Sequence, residues 1–329
     1  MTLLAVENLS VAFPGHVAVR DVSFAIEAGE TLALVGESGC GKSVTAFSVM
    51  RLLAPNARVI SGRILFDGAD LMTASPAEMR EIRGKQVSLI QQEPMTSLNP
   101  VLSIGAQIAE VIRRHEKVSR RVARARSIEL LDLVSIPDAH RRIDDYPHNL
   151  SGGMRQRVMI AMAVACGPKL LIADEPTTAL DVTTQAQVLD LLDGLRKRLS
   201  MAVLLITHDL GVVAQWADRI CVMYAGRVVE QAAIAPFFAQ PMHPYSRGLL
   251  GARVDADADE HYSMSRLSEI PGSVGLAAGE AGCPFAPRCP LVESSCRQVP
   301  PPLLAFAAER RVACPVSLGM ATVEAIGHG

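Results

Sequence analysis

The sequence has few aromatic residues, almost no net charge and no long uncharged apolar run. Aromatic side chains make up 4% of the 329 residues, so the stacking platforms that bind single-stranded nucleic acids are scarce. A net charge of −2 argues against a general nucleic-acid-binding surface. No uncharged apolar stretch approaches the roughly 20 residues that span a bilayer, and no basic-then-apolar leader is visible. We therefore expect a chain that folds in the cytoplasm and has no nucleic-acid partner.

The sequence does contain short apolar strands that alternate with helical segments. Strand-like runs precede residue 90, and strands and helices alternate again toward residue 240. Strands separated by helices predict βαβ units and a largely parallel sheet. Beyond Pro241 the sequence becomes rich in proline and glycine, which predicts a small loop-rich extension. The predicted organisation is an α/β domain over residues 1–240, with a helical subdomain at about 96–165, and an extension over 241–329.

The most specific motif is GESGCGKS, which follows the strand-like run TLALV and opens a helical stretch. It matches the phosphate-loop pattern at every fixed position. In such a loop, glycines let backbone N–H groups turn toward phosphates, and the helix N-terminus adds positive potential. We expect Lys42 to reach the β- and γ-phosphates and the Ser43 hydroxyl to bind Mg²⁺. The predicted nucleotide-binding residues here are Gly36, Glu37, Ser38, Gly39, Cys40, Gly41, Lys42, Ser43 and Thr45.

A second acidic site lies in LLIADEP, where an apolar strand ends in two carboxylates. Asp174 is predicted to hold Mg²⁺ through water, and Glu175 is predicted to be the general base toward the attacking water. An ordinary strand followed by a polar turn would give a similar pattern. The phosphate loop in the same chain favours the catalytic interpretation, and the two motifs together predict an NTPase.

A third motif, LSGGMRQR, places Ser151, Gly152 and Gly153 at the start of a predicted helix. A helix N-terminus of this kind binds anions, so the chain has two phosphate-binding ends. One nucleotide cannot easily use both ends within one subunit, which predicts a dimer with nucleotide at its interface. Ser151 is also a good helix N-cap, and the two roles are compatible.

With these motifs in this order, residues 1 to about 240 resemble the ABC ATPase superfamily. The resemblance implies an α/β P-loop NTPase fold with a RecA-like parallel sheet, an antiparallel β subdomain and a helical subdomain. It implies ATP and Mg²⁺ as ligands. Gln92, in LIQQEP, is similar to the glutamine that senses Mg²⁺ and the pore subunit, and Asp181, in TALD, to the loop linking two ATPases. His208, in LLITHDL, is similar to the switch histidine at the γ-phosphate, and Phe13 to the ring that stacks on adenine.

Each of these carried-over roles has a plainer alternative. Gln91 is a glutamine one position away from Gln92, Phe13 could be a core residue, and His208 could be a satisfied residue at a strand end. The order and spacing of the motifs favour the functional interpretation, which makes Glu175, His208 and Gln92 the predicted catalytic set.

Several longer stretches resemble one branch, the oligopeptide/dipeptide importer ATPases. These are QEPMTSLNP, PHNLSGGMRQR, HPYSRGLL and a tail that carries IPGSVG and GCPFAPRCP. The resemblance implies an ATPase that powers import of di- or oligopeptides from the cytoplasmic face of the membrane. It implies two membrane permease subunits, a second ABC ATPase and an extracytoplasmic peptide-binding protein as partners.

The rival functions are a soluble ABC ATPase of DNA repair or translation, and an exporter ATPase. The run RRHEKVSRRVARARS is the one candidate for a nucleic-acid patch. We interpret it as the polar face of an amphipathic helix, whose apolar face comprises Val118, Val122, Ala125 and Leu131. One ATPase core, no heptads and the C-terminal extension favour the importer.

Four of the seven cysteines lie in the extension: Cys283, Cys289, Cys296 and Cys314. The segment is too short and proline-rich to build its own core, and four thiolates complete a cluster or a zinc site. The intervening gaps of five, six and seventeen residues are unlike the close pairs of zinc ribbons. We expect a [4Fe–4S] cluster, to which the resemblance also points. Zinc, reduced structural thiols and disulfides are the alternatives.

Overall fold

The computed structural model describes residues 1–91, 97–178, 180–252, 270–277, 280–307 and 309–319. Its strands are β1 Thr2–Phe13, β2 His16–Glu27, β3 Thr31–Val35, β4 Arg58–Phe66, β5 Ala69–Asp70, β6 Val87–Ile90, β7 Leu170–Asp174, β8 Ala202–Thr207, β9 Arg219–Tyr224, β10 Arg227–Ala233, β11 Leu304–Ala307 and β12 Arg310–Val312. Its helices are α1 Lys42–Val49, α2 Pro76–Ile82, α3 Ile104–His115, α4 Arg120–Leu133, α5 Ala139–Arg142, α6 Gly152–Val164, α7 Val182–Leu199, α8 Leu210–Trp216, α9 Ile234–Ala239 and α10 Pro244–Gly251.

The first sheet is antiparallel, with the strand order β2-β1-β4-β5. Strand β1 buries Leu4 and Val6, then Leu9 and Val11. A shift of register between Val6 and Leu9 keeps both pairs on the inner face, as a bulge does. A tight turn joins β1 to β2 and sets Phe13 opposite His16. This turn brings an aromatic pair to one end of the sheet.

The second sheet has the order β11-β12-β10-β9-β3-β8-β7-β6. Its β9-β3-β8-β7-β6 part is parallel. Strands β3 and β7 are buried along their whole length, as the apolar runs TLALV and LLIAD require between two layers. The carboxyl ends of parallel strands meet at one edge, so the segments after β3, β7 and β8 converge there. The predicted parallel sheet is confirmed.

The other end of this sheet is antiparallel and includes part of the C-terminal extension. Ala225 and Gly226 have φ of 45° and 82°, and they form a hairpin turn between β9 and β10. Strand β12 then pairs with β10, and β11 pairs with β12. The proline- and glycine-rich sequence predicted a loop-rich extension, whereas in the structure the extension also adds two strands to the main sheet.

A buried ion pair fixes the extension to the sheet. Glu230, in β10, is fully buried and accepts hydrogen bonds from the backbone N–H groups of Met242 and His243. Arg310, in β12, donates to the same carboxylate at 3.0 Å. A buried carboxylate is stable only when such partners compensate its charge. The ion pair therefore holds β12 and the segment after β10 in fixed positions.

The helical layer contains α3 to α6, packed around Ile108, Ile112 and Leu131. The predicted helix is confirmed as α4, but its predicted apolar face is only partly right: Val118 and Leu131 pack in the core, and the two residues predicted between them do not. Ala123 and Leu131 are buried with Ser127 between them, whereas Val122 and Ala125 are exposed. Ser127 can lie on the inner face because its hydroxyl donates to the Ala123 carbonyl. A serine is not expected at a buried position, so hydrophobicity alone did not identify the buried face of α4.

Candidate functional site

The phosphate loop lies between the end of β3 and the start of α1, as its motif predicted. Gly41 caps α1 with φ 103°, and a Cβ there would lie 2.9 Å from the Ala18 carbonyl oxygen. Only glycine fits both the left-handed conformation and this close approach. The Thr45 hydroxyl donates to the Gly41 carbonyl, so Thr45 holds the first turn of α1 from within.

Lys42 lies at the centre of the loop and is almost fully buried. Its Nζ donates to the carbonyl oxygens of Gly36 at 2.7 Å and Glu37 at 3.1 Å. The loop borders a cleft of about 770 Å³ lined by Phe13, His16, Ala18, Ser38, Gly39, Gly41, Lys42, Ser43, Val44, Glu175, Thr178 and His208. Five of the nine nucleotide-binding residues predicted in the loop segment line this cleft, whereas Gly36, Glu37, Cys40 and Thr45 do not.

Asp174 ends strand β7 beside the loop and is nearly buried. Burial raises the pKa of its carboxyl, and a hydrogen bond with Ser43 and the charge of Lys42 act in the opposite direction. Its Oδ1 is buried and has no hydrogen-bond partner in the structure. An orphaned carboxylate oxygen next to a serine hydroxyl is a donor set that suits Mg²⁺, which prefers oxygen ligands. The residues present therefore fit the expected ion.

Glu175 turns away from the end of β7 with φ 47°, a conformation that is uncommon for glutamate and typical of functional sites. Its Oε2 accepts a hydrogen bond from the Thr178 hydroxyl at 3.0 Å. Its Oε1 lies 3.4 Å from Nδ1 of His208, which follows β8 and is largely exposed. Two of the three predicted catalytic side chains therefore meet at the cleft, and Thr178, which was not predicted, orients one of them.

An aromatic pair stands at another wall of the cleft. The rings of Phe13 and His16 are stacked, 5.4 Å apart and within 8° of parallel. Both line the cleft, so they can present a flat face to a base. His16 was not predicted, although its place across the tight turn from Phe13 was a signal that could have found it.

Two protein-family models match the sequence of this chain. One is described as ABC transporter and matches residues 19–178, and the other as the C-terminal region of oligopeptide/dipeptide transporters and matches residues 229–296. The dipeptide transport ATP-binding protein DppD of Bacillus subtilis is 51% identical over 307 residues, covering 91% of this chain and 90% of that protein. The oligopeptide transport ATP-binding protein OppD of Salmonella typhimurium is 49% identical, covering 95% and 93%.

This chain belongs to the ABC transporter ATP-binding proteins. Solved structures agree with its fold. The cassette MJ0796, dimeric and bound to ADP and Pi, has a TM-score of 0.63 and 26% identity, and the match covers 70% of this chain and 99% of that one. CbiO1 from Clostridium perfringens has a TM-score of 0.64 and 28% identity, covering 73% and 91%. The predicted fold class and ATPase activity are confirmed.

The LSGGMRQR motif, which we call the signature segment, begins at Leu150. Its residues do not line the nucleotide cleft of the same chain. Ser151 caps α6, where its Oγ accepts a hydrogen bond from the backbone N–H of Met154, and Gly152 follows it exposed. Gly153 is partly exposed, and none of the three lines the cleft. Gln156, which is buried in α6, donates to the Pro176 carbonyl and so connects this helix to the segment after Glu175. That connection was not predicted.

Asp181 acts within its own subunit as the N-cap of α7. Its Oδ1 accepts from the Thr184 backbone N–H at 2.9 Å and its Oδ2 from the Thr184 hydroxyl at 2.7 Å. The hydrogen bond with the Thr184 side chain is the main cause of a lowered pKa of this carboxyl. The residue is exposed and does not line the cleft.

Gln92 lies outside the described residues, so its predicted contact with Mg²⁺ has no structural account. On either side of the gap, Gln91 and Ser97 border a groove of about 450 Å³. Met159 and Met162, on α6, and Val111, on α3, line the groove as well. Methionine side chains are flexible and polarizable, so the wall of this groove can adapt its shape.

The four cysteines of the extension border a single cavity of about 250 Å³. All four are free thiols, and burial raises the pKa of Cys283 to about 11 and raises the pKa of Cys289 as well. Within the described ranges, no three His, Cys, Asp or Glu side chains are grouped to hold a metal ion. The structure therefore brings the predicted cysteines together around one space without showing a compact single-ion site.

Proposed function

We propose that this ABC ATPase powers uptake of di- or oligopeptides across the cytoplasmic membrane. The observation that carries the proposal is about 50% identity to DppD and OppD over more than nine-tenths of the chain. The match includes the C-terminal region that the family model describes for oligopeptide/dipeptide transporters. The chain would act with two membrane permeases, a second ABC ATPase and an extracytoplasmic peptide-binding protein.

In the proposed reaction, Glu175 accepts a proton from the water that attacks the γ-phosphate. Thr178 and His208 hold the carboxylate from its two oxygens, and Lys42 binds the phosphates from inside the loop. Ser43 and Asp174 would hold Mg²⁺, which supplies charge neutralisation on the phosphate oxygens. Phe13 and His16 would stack on the adenine.

We propose that Ser151, Gly152 and Gly153 act on the nucleotide of a second ATPase. The exposure of this helix N-terminus and its absence from the lining of its own cleft support a role in trans. Asp181, exposed at the start of α7, would contact the same partner. The partner is a second copy or a related ATPase.

The groove beside Gln91 is the proposed docking site for a permease. It lies between β6, which leads to Gln92, and the α6 helix, which begins at the signature segment. A permease segment seated there would contact both the strand that leads to Gln92 and the helix that begins after Ser151. Within the described residues no helix is long and apolar enough to cross a membrane. We place the chain peripherally, on the cytoplasmic face, through this contact.

The cavity bordered by Cys283, Cys289, Cys296 and Cys314 is the proposed site of a [4Fe–4S] cluster. Each thiolate of such a cluster binds a different iron, so its sulfurs surround a space rather than a point. One cavity with four free thiols on its wall supports this arrangement. Zinc would need four ligands around one ion, which makes it the second choice. The cluster would tie the extension together structurally.

The test of the proposed function is peptide uptake by a reconstituted complex. The chain, its permeases and its partner ATPase would be placed in proteoliposomes, with the peptide-binding protein outside. ATP-dependent accumulation of labelled peptide is expected, and it should stop when Glu175→Gln replaces the wild-type chain. ATP hydrolysis that is not stimulated by any di- or oligopeptide, or stimulation by a different class of solute, would contradict the proposal.

A further inference from the structure

We propose that Arg288 is a positioning residue for the ATP site, acting on the phosphate loop through Glu37. Arg288 lies in the C-terminal extension, 251 residues along the chain from Glu37. Its Nη1 donates to both carboxylate oxygens of Glu37, at 3.0 and 3.1 Å. The proposal rests on the ATP site itself and is independent of the cargo and of any occupant of the cysteine cavity.

The Arg288 guanidinium is held by several contacts in addition to the one with Glu37. Its side chain is 3% exposed. Its Nε donates to the Pro271 carbonyl at 2.7 Å and its Nη2 to the Ile270 carbonyl at 3.0 Å, while Nη1 also reaches the Tyr224 hydroxyl. An arginine with its donors satisfied by backbone is a rigid anchor, and a buried charge of this kind leaves a large penalty when its partner is removed.

Glu37 has a second contact with the extension. Its backbone N–H donates to the Tyr245 hydroxyl at 2.9 Å. The rings of Tyr245, Tyr224 and Phe285 pack against one another with centroids 4.7 to 5.4 Å apart. This aromatic cluster therefore holds the tyrosine hydroxyl and the start of the Arg288 segment in one rigid arrangement.

The third group of Glu37, its carbonyl oxygen, contacts Lys42. It accepts the hydrogen bond from Nζ of Lys42 at 3.1 Å. The side chain and N–H of one residue are thus anchored to the extension, and its carbonyl contacts the phosphate-binding lysine. Glu37 itself does not line the cleft. The contacts therefore act by holding the loop in the conformation that places Lys42.

The test uses the full-length chain and compares Glu37→Gln, Arg288→Gln and the double variant. Affinity for a fluorescent ATP analogue is measured, together with KM and kcat for hydrolysis. Each single variant should bind the analogue roughly tenfold more weakly, and the double variant no more weakly than either, since both remove one interaction. The loss should appear in KM with kcat nearly retained, and Arg288→Lys should recover part of it.

Arg297→Gln is the matched control. Arg297 is an exposed arginine of the same extension, paired with Glu280 at 3.4 Å. Its affinity should equal that of the wild type. Unchanged affinity in Glu37→Gln, additive losses in the double variant, or an equal loss in Arg297→Gln would overturn the proposal. Glu37→Gln alone decides the question if Arg288→Gln does not fold, because Glu37 is the more exposed partner.

Discussion

Nδ1 of His208 lies 3.4 Å from Oε1 of Glu175, so the residues that follow two neighbouring parallel strands meet at the wall of the ATP cleft. Thr178 donates to the other oxygen of the same carboxylate. Glu175 is therefore held from both sides in a backbone conformation that glutamate seldom adopts. A carboxylate fixed in this way can accept a proton from a water placed in the cleft.

Glu175→Gln should keep ATP binding and lose turnover. The amide is nearly isosteric and can still meet Thr178, but it cannot accept the proton of the attacking water. Hydrolysis should fall by about 10²- to 10⁴-fold, the usual contribution of a general base. The measurement is single-turnover hydrolysis alongside equilibrium binding of ATP.

Two further variants serve as comparisons for Glu175→Gln. Lys42→Ala should weaken ATP binding itself, because the phosphate-facing ammonium is lost. Glu129→Gln, at an exposed position on α4, should leave both quantities unchanged. Equal losses of ATP affinity in Glu175→Gln and Lys42→Ala would show that the two roles are assigned wrongly.

Ser151→Arg should abolish ATP-driven association of two ATPase subunits. A bulky cation at the N-terminus of α6 would block the approach of the partner's nucleotide. Association is measured by light scattering in the Glu175→Gln background, where ATP persists. Ser119→Arg, at the exposed N-cap of α4, is the matched control and should leave association intact. A dilute monomer that hydrolyses ATP at the full rate would refute the shared site.

Ser97→Cys should cross-link to a cytoplasmic segment of a permease in the assembled complex. Ser97 borders the groove with Met159 and Met162. Ile60→Cys, exposed on the antiparallel sheet, is the control and should not form that cross-link. Cross-links from Ser97→Cys to the partner ATPase alone would rule out this docking site.

His243→Asn should make the protein less sensitive to acid. His243 is fully buried, and burial, followed by the charge of Arg247, lowers its pKa from 6.5 to about 3. Between about pH 3 and pH 6.5, His243 binds a proton in the unfolded chain but not in the folded chain. The contribution of this residue to the free energy of unfolding is therefore fully present above pH 6.5 and is lost as the pH falls. From pH 6.5 to 5.5 this group costs about 1 kcal/mol of the free energy of unfolding.

In the wild type, Nδ1 of His243 accepts a hydrogen bond from the Tyr245 backbone N–H at 3.1 Å. The side-chain oxygen of asparagine can accept the same hydrogen bond. The free energy of unfolding from urea titrations at each pH measures the effect. His148→Asn, at an exposed position, is the control and should follow the wild-type profile. An unaltered acid slope in His243→Asn would mean that another group carries the proton uptake.

Cys289→Ser should remove iron from anaerobically purified protein. The wild type should be brown, with broad visible absorption, because four thiolates around one cavity complete the proposed cluster. Cys166→Ser, which changes a half-buried thiol outside that cavity, should keep both colour and iron. Colourless wild-type protein with stoichiometric zinc, or with four titratable thiols, would contradict the cluster.

The sequence predicted those parts of the site that depend on local pattern. The phosphate loop, the carboxylates at the end of β7 and the parallel sheet follow from short motifs and strand periodicity. Contacts between distant segments were missed, because Glu37 and Arg288 carry no local sign of each other. The same holds for β12 beside β10, since a three-residue strand in a proline-rich region has almost no periodicity.

Helix faces were predicted less well than helix positions. On α4, the small and polar residues Ala123 and Ser127 form the inner stripe, while Val122 is exposed. Hydrophobicity placed Leu131 correctly but misplaced Val122, because the backbone carbonyl of Ala123 accepts the hydrogen bond of the Ser127 hydroxyl and lets that polar residue face inward. Burial of a small polar residue is decided by its partner, which the residue type does not reveal.

The pairing of β12 with β10 has a consequence for synthesis of the chain on the ribosome. Strand β10 and the carboxylate of Glu230 emerge some 80 residues before β12, which pairs with the strand and supplies Arg310 to the carboxylate. During that interval the nascent sheet has an open edge and a carboxylate whose cationic partner has not yet been made. Completion of the ATPase sheet is therefore delayed until the distal hairpin has been translated, and a stall within this interval leaves the edge open to pairing with other chains.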